Sequence, residues 1–478
     1  MGGSAEGSDY CTQTLAPGHS LDLLSLAESQ PVSFPFFLDS AARGPLGEFS
    51  LLFFAGHEEL IRWQDGRLEG PGEGHSFFSR MAGWYREESL PGDSEDDADR
   101  CELPFVGGWF VYLGYEMAGE IESRLNLPAN QSALPDAFAR RCPGAIIQFH
   151  NVGQAGSTGP EFVVVAESPD QLEEILDLIG AHKVTPPEPG AAGIPELQDL
   201  ESEPEDKFTS GVERVLHYLR AGDVFQVNIS RDWTARFSAP PRAGSVYRCL
   251  RQHNPAPFAG LMHHGTSTLL SSSPERLVEV RGNDVQTRPI AGTRPRGLSE
   301  DQDLALSKEL IDNVKERAEH IMLIDLERND LGRVCRPGSV EVNELMVVES
   351  YAHVHHIVSN VRGRLMPEAG PVDVMKAIFP GGTITGCPKV RCMEIIAELE
   401  QVGRGFYTGS MGYLGRNGDM DLNILIRSML LQGDHISFRT GAGIVADSEP
   451  DKELQETRDK ARGLLLALEH GQAERRGA

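Results

Sequence analysis

The chain has 478 residues and a formal net charge of −27, from 71 acidic against 44 basic side chains. A hydrophobic fraction of 40%, with 20 Phe spread along the length, supports a large buried core and excludes general disorder. So acidic a surface repels phosphate backbones and anionic lipid, which excludes nucleic acid and membrane surfaces as general partners. An anionic substrate would have to be held by a local cluster of cations, backbone N–H groups or a metal.

In chain order, β-branched and aromatic content predicts strands at FSLLFFAG (49–56), FVGGWFVYLGYE (105–116), AIIQFH (145–150) and EFVVVAE (161–167). Between them, 86–102 is acidic and aperiodic and reads as a solvated loop. Ser168 caps a predicted helix over 168–182. Residues 184–206, rich in Pro, Gly and acid, read as a linker between an N-terminal region (20–183) and a C-terminal domain (207–466). The latter opens with a helix whose apolar face is Phe208, Val212, Val215, Leu216 and Leu219, ended by Gly222. Strands are predicted at VFQVNISRDW, 267–273, 276–282, 406–415, 420–431 and 435–443, and long helices at 301–329, 387–402 and 450–470. Runs of strands separated by helices point to an α+β fold of antiparallel sheets covered by helices. The seven cysteines are widely spaced with no C-x-x-C pair, so neither a disulfide framework nor a zinc site is expected, and a reducing cytoplasm fits. The N-terminus has no signal-peptide pattern, and no run approaches the roughly 20 apolar residues of a membrane span, so a soluble, cytoplasmic protein is expected.

No general-purpose catalytic motif is present, but small-residue loops stand beside charged helices. In TRPIAGTRPRG (287–297), Gly292 permits close backbone approach and Thr293 offers a hydroxyl and an N–H; an ordinary glycine turn would read the same way. In FPGGTITGCPKVRCMEII (379–396), three glycines precede a helix with Pro388 at its first position, which is either an anion site or a plain helix start. Glu316 and Glu319 share one helical face, and Glu453 and Glu456 lie on the last helix with Lys460 a turn beyond. Such acids are ordinarily a solvated face; converging, they would suit a hard cation such as Mg²⁺.

Together these segments resemble one family, the chorismate-utilising synthases. PIAGTRPRG, AEHIMLIDLERNDLGR, HHIVS, FPGGTITGCPKVR and GAGIVADS occur in its order and spacing, densely from about 206 to 465. The resemblance implies the family's fold, stacked antiparallel sheets covered by helices, and an Mg²⁺ ion held by Glu319 and Glu456 against the ring carboxylate of chorismate. It assigns Arg427 to a substrate carboxylate, and Tyr407, Gly292, Thr293, Lys460 and the Gly441–Ala442–Gly443 backbone to further substrate contacts. Glu275 is similar to the family's general acid for the departing 4-hydroxyl, with His356 and Thr383 placed about the same hydroxyl; His355 is expected to be structural.

Gln226 stands where the water-using members carry a lysine base; an amide cannot deprotonate water, which implies ammonia as nucleophile. Since no glutaminase motif is visible, a separate glutamine amidotransferase subunit is the implied partner. FQVNIS, NPAPFAG, FPGGTITG and YTGSMGYL resemble the members that form 4-amino-4-deoxychorismate, the precursor of p-aminobenzoate and folate. The alternative is amination at C2 to anthranilate, for tryptophan. Ala291 departs from the first group, which carries lysine there. Leu38–Asp39–Ser40 stands where anthranilate-forming members carry Leu-Glu-Ser, and Ser40, Asn254, Pro255 and Phe258 are expected to form an amino-acid pocket.

Overall fold

The computed structural model describes residues 10–16, 21–42, 47–90, 103–150, 161–182, 194–297, 299–350 and 354–476. Its strands form two large antiparallel sheets, one of 12 and one of 11 strands. Several run as continuous apolar stretches because both of their faces are buried. In Phe49–Phe54, Leu51 and Phe53 enter the core between the sheets, while Leu52 and Phe54 face the helices outside. The same period-two division separates Phe36 from Phe37, and Phe110 and Tyr112 from Trp109 and Val111. Aromatic rings hold the sheets together: Phe36 stacks on Phe110 with centroids 4.1 Å apart, and Phe53 meets Phe105 edge-on at 5.0 Å.

Helices cover the outer faces. Leu23–Ser29, Pro169–Ala181, Ala243–His253 and Pro450–Arg476 pack on the first sheet, and Phe77–Glu88, Val314–Leu331 and Pro371–Ile378 on the second. Glu205–Ala221 and Lys389–Glu400 share a smaller core with the Gln226–Phe237 and His435–Ile444 strands. Ser168 caps its helix by accepting from the Gln171 N–H, and Gly222 ends Glu205–Ala221 at φ +81°. Among the described residues, no helix is long and apolar enough to cross a membrane.

Both sheets draw strands from either side of residues 184–206: Phe36–Asp39 pairs with Phe258–His264, and Gly108–Leu113 with Ser410–Gly415. Residues 91–102 and 183–193 lie outside the described residues. Of the stretch read as linker, Leu197–Ser202 is a strand on the edge of the first sheet. The helix expected at 301–329 is two, Glu300–Asp312 and Val314–Leu331, because Asn313 takes an extended conformation between them. Pro388 is the N-cap of Lys389–Glu400 rather than its first helical residue.

The expected 420–431 strand is also two. Met420–Asn423 belongs to the second sheet and Ser428–Gln432 to the first. The neighbouring chain crosses at the same place, from Ser267–Ser273 to Arg276–Arg281. Side-by-side crossings leave backbone groups unserved by either ladder, so they serve each other: Ile424 N donates to Glu275 O at 3.0 Å, and Ser272 N to Arg427 O at 3.1 Å.

A buried ion network ties the end of the Lys389–Glu400 helix to the Gln226–Phe237 and His435–Ile444 strands. Glu400 accepts from Arg404 Nη2 at 2.6 Å and Nε at 3.0 Å, from Arg439 Nη2 at 3.3 Å and from the Ser230 backbone N–H at 2.8 Å. Burial acts to raise its carboxyl, but Arg404 and Arg439 outweigh that and hold it below the ordinary value. Glu400→Gln would leave the Arg404 charge uncompensated; chemical denaturation is expected to show a loss of about 3–5 kcal/mol.

Candidate active site

The crossing brings together Glu275, between Ser267–Ser273 and Arg276–Arg281, and Arg427, between Met420–Asn423 and Ser428–Gln432. Glu275 is 6% exposed, and burial holds its carboxyl up at about 7, against the pull of the Thr383 hydroxyl and the charges of Lys460 and Arg427. The Thr383 hydroxyl faces that carboxyl but makes no well-formed hydrogen bond, and is otherwise unpartnered. Arg427 has φ +50°, a left-handed conformation that costs a non-glycine residue about 1 kcal/mol or more. Its Nη1 lies 3.5 Å from Asn254 Oδ1. Thr408, beside Tyr407, is also left-handed at φ +61°, and its N–H donates to Leu425 O at 2.8 Å, so the two strained turns are hydrogen-bonded neighbours.

His356 is buried on the Val354–Arg364 strand, its Nδ1 3.4 Å from Gly292 O. Burial first, and then the Arg427 charge, hold its imidazole down at about 4, so it is neutral at physiological pH. Gly292 forms a bulge at φ +63°, and a side chain there would run into the Glu316 carboxylate. Thr293 pairs with His356 through the strand backbone. His355, on the opposite face, bonds Ser350 Oγ at 2.7 Å and Asp303 Oδ1 at 2.9 Å.

On the first sheet, Gly441, Ala442 and Gly443 lie in His435–Ile444, paired with Ser230, Ile229 and Asn228. Both glycines are needed for closeness: a Cβ on Gly441 would lie 2.7 Å from Tyr407 Oη, and one on Gly443 would lie 2.5 Å from Gln226 Nε2. Lys460 reaches in from the last helix, donating to Gly441 O at 3.0 Å and pairing with Glu456 at 2.7 Å. Glu275, Thr383, Arg427, His356, Gly292, Tyr407, Lys460 and the Gly441 backbone are thus connected through contacts or charge. Glu319 is half-buried on Val314–Leu331. Among the described residues no three His, Cys, Asp or Glu side chains converge as a metal group, so Glu319 and Glu456 are not part of an all-protein cage.

A separate cavity of about 430 Å³ lies beside this constellation. It is lined by Leu38, Asp39, Ser40 and Phe258, with Arg276, Glu279, Arg281 and Asp421 as a charged wall. Asn254 and Pro255 do not line it; Asn254 follows the Ala243–His253 helix and turns its amide to Arg427 instead. Arg276 directly follows Glu275 and is clamped by Asp421 at 3.0 and 2.9 Å, so the cavity wall and the candidate acid share one strand start.

A sequence profile described as chorismate binding enzyme matches residues 75–466. The chain belongs to the chorismate binding enzyme family. As a chorismate-utilising enzyme it is 44% identical over 369 residues to the anthranilate synthase component I-like protein of Synechocystis sp., covering 77% of this chain and 74% of that one. It is 41% identical over 384 residues to aminodeoxychorismate synthase component 1 of Bacillus subtilis (78% and 79% covered), and 38% over 456 residues to anthranilate synthase component 1 of Thermus thermophilus (94% and 95%). Among solved structures, anthranilate synthase component I from Streptococcus pneumoniae superposes with a TM-score of 0.75 at 30% identity, covering 94% of this chain and 95% of that one. The menaquinone-specific isochorismate synthase of Escherichia coli, at 18% identity and a TM-score of 0.71, shares the fold, with 96% and 94% of the two chains covered.

The structure sets two further residues beside these groups, Asn254 and Glu327. Asn254 was grouped with the cavity, and its contact with Arg427 depends on a helix end that no local pattern reveals. By sequence Glu327 is one more acid of a charged helix, with nothing to set it apart, yet it is 5% exposed.

The raised Glu275 carboxyl has a stability consequence. Its unfolded value is near ~4.3, so between there and about 7 the folded state binds the extra proton. The contribution is complete below pH ~4.3 and is lost as pH rises through about 7. Glu275→Gln is therefore expected to raise the unfolding midpoint at pH 8 and leave it nearly unchanged at pH 4, as read by thermal melts across that range.

Proposed function

We propose that this chain is the chorismate-aminating component of an aminodeoxychorismate synthase, replacing the 4-hydroxyl of chorismate with an amino group. The observation that carries the reading is Gln226, buried against Gly443, at the position where the water-using members that the chain resembles carry a lysine base. An amide takes no proton from water, so the nucleophile has to arrive already competent, as ammonia does. The FQVNIS, FPGGTITG and YTGSMGYL strings support C4 as the position aminated.

In this reading Arg427, whose hydrogen-bond partner is an amide and not a carboxylate, grips a carboxylate of the substrate with two parallel bonds. Tyr407 and the Gly441–Gly443 backbone form the wall against which the ring lies, and Lys460 adds positive charge at the same end. Glu275, neutral to about pH 7, donates its proton to the 4-hydroxyl, which leaves as water. His356 and Thr383 orient that hydroxyl. Glu319 and Glu456 are hard oxygen donors of the kind Mg²⁺ takes alongside water and substrate; when bound, the ion supplies positive charge for the ring carboxylate. Ammonia comes from a glutamine amidotransferase subunit, in a cytoplasmic pathway to folate. The 430 Å³ cavity, with Ser40, Phe258 and both signs of charge, suits a zwitterionic amino acid.

A second reading is anthranilate synthase component I. Ala291 favours it, since the strand offers no amine for covalent addition to the ring, as does the match along almost the whole of the Thermus relative.

Product analysis separates them. Purified protein with chorismate, Mg²⁺ and excess ammonium is expected to give p-aminobenzoate only when an aminodeoxychorismate lyase is added. Fluorescent anthranilate and pyruvate without the lyase would establish the second reading. In the same assay Glu275→Gln is expected to lower kcat by ~10²–10⁴-fold while Mg²⁺-dependent chorismate binding persists.

A further inference from the structure

The chemistry above leaves one buried acid unused. Glu327, on Val314–Leu331, is 5% exposed and forms no ion pair among the described residues. It packs behind the glycine loop: a Cβ on Gly382 would lie 3.4 Å from Glu327 Oε1. The next residue, Thr383, presents its hydroxyl to Glu275. Two buried carboxyls therefore flank one short loop, Glu327 behind Gly382 and Glu275 facing the Thr383 hydroxyl.

The polar atoms in this volume are under-served. Glu327 Oε2, Thr383 Oγ1 and Thr287 Oγ1 have no hydrogen-bond partner, although the Thr287 hydroxyl stands beside the Glu327 carboxyl. The nearby cation is committed elsewhere: Lys389 Nζ binds Asp330 and donates to Ile378 O at 3.0 Å. Facing Glu327 are Asp330 on its own helix, Lys389 on the Lys389–Glu400 helix, and Glu275 at the strand crossing. Facing Glu275 are Arg427 and Lys460. A second carboxylate here would be buried, short of donors and close to a like charge, the circumstance in which two acids lose their protons in separate steps.

We propose that Glu327 is a positioning residue whose carboxyl is electrostatically coupled to Glu275 across the Gly382–Thr383 loop, so that a charge on either one holds the proton on the other. This rests on the reading of Glu275 as the proton donor. As the leaving hydroxyl takes that proton, the Glu275 O–H bond breaks and the O–H bond of departing water forms; Glu327 keeps its own proton, so only one charge develops in the pair. At higher pH, molecules that have ionised Glu327 first retain a protonated Glu275, which widens the pH range of the donor. In keeping with this geometry, burial and then the Asp330 charge push Glu327 up to about 8, with Lys389 pulling down and Glu275 adding to the rise.

The test is the pH dependence of chorismate consumption by wild type and Glu327→Gln, which keeps the shape and removes the charge. The alkaline limb of kcat/KM, normalised to each protein's own plateau, is expected to move down by roughly half a pH unit in the variant. Superimposable limbs would overturn the proposal, since a residue that merely packs would change the plateau and leave the limb in place. Infrared titration of the carboxyl C=O band in substrate-free protein gives a second measure that needs neither turnover nor a folded Glu327 variant. With Glu275→Gln, the Glu327 midpoint is expected to fall relative to wild type; an unchanged midpoint would equally overturn the coupling. If wild type consumes no chorismate, the functional reading fails, and the infrared arm still decides whether the two acids are coupled.

Discussion

The buried contact between Glu400 and Arg404 is the constraint on which the site depends. Arg404 does more than neutralise Glu400: its remaining donors reach Asn228 O at 2.8 Å and Ile384 O at 3.2 Å. One guanidinium thus ties the Gln226–Phe237 strand, which carries Gln226, to the loop that carries Thr383. Its backbone N–H donates to Glu116 Oε1 at 2.7 Å, which anchors the turn leading to Tyr407. A fully buried charge pair is rarely the most stable way to fill a core. Here the directional bonds add to the short Gln226–Val227 pairing with Gly386–Cys387 and fix the turn before Tyr407 against both segments.

The second organising feature is where the strands change sheets. At the paired crossing the backbone leaves both ladders, and the freed groups are satisfied by each other and by Ser273, whose hydroxyl donates to Ile424 O at 2.5 Å. Irregular backbone at a buried position is costly, and the left-handed Arg427 and Thr408 carry part of that cost. In return, Glu275 and Arg427 project from rigid strand ends into the same volume, where burial keeps the carboxyl neutral near pH 7. A flexible loop could supply the same residue types but not their mutual placement.

The overall charge of −27 sets a problem for any anionic substrate, and the solution is local. Of the cations near the site, Lys389 is held by Asp330 and Arg404 by Glu400. Arg427 is hydrogen-bonded to an amide and stands beside Glu275, whose carboxyl burial holds up at about 7, so it is not locked to a fixed carboxylate as those two are. The acidic surface as a whole repels polyanions.

How much of this could be read from the amino-acid order depends on the range of the physics involved. Local signals were sufficient for the family, the α+β class, the Ser168 and Gly222 helix ends and most strands, because capping, periodicity and string order act over a few residues. They failed at the 420–431 segment, where an unbroken apolar run hides a change of sheet, and at 301–329, where Asn313 interrupts one helical pattern without a glycine or proline to mark it. Residue types were also enough to nominate Glu275, Arg427 and Gln226. Only the tertiary structure decided that Asn254 turns to Arg427 and not to the cavity, and that Glu327 is buried behind the Thr383 loop. The reason is that burial and charge coupling are sums over neighbours distant in sequence, and an acid on a helix carries no mark of which side will lose its water.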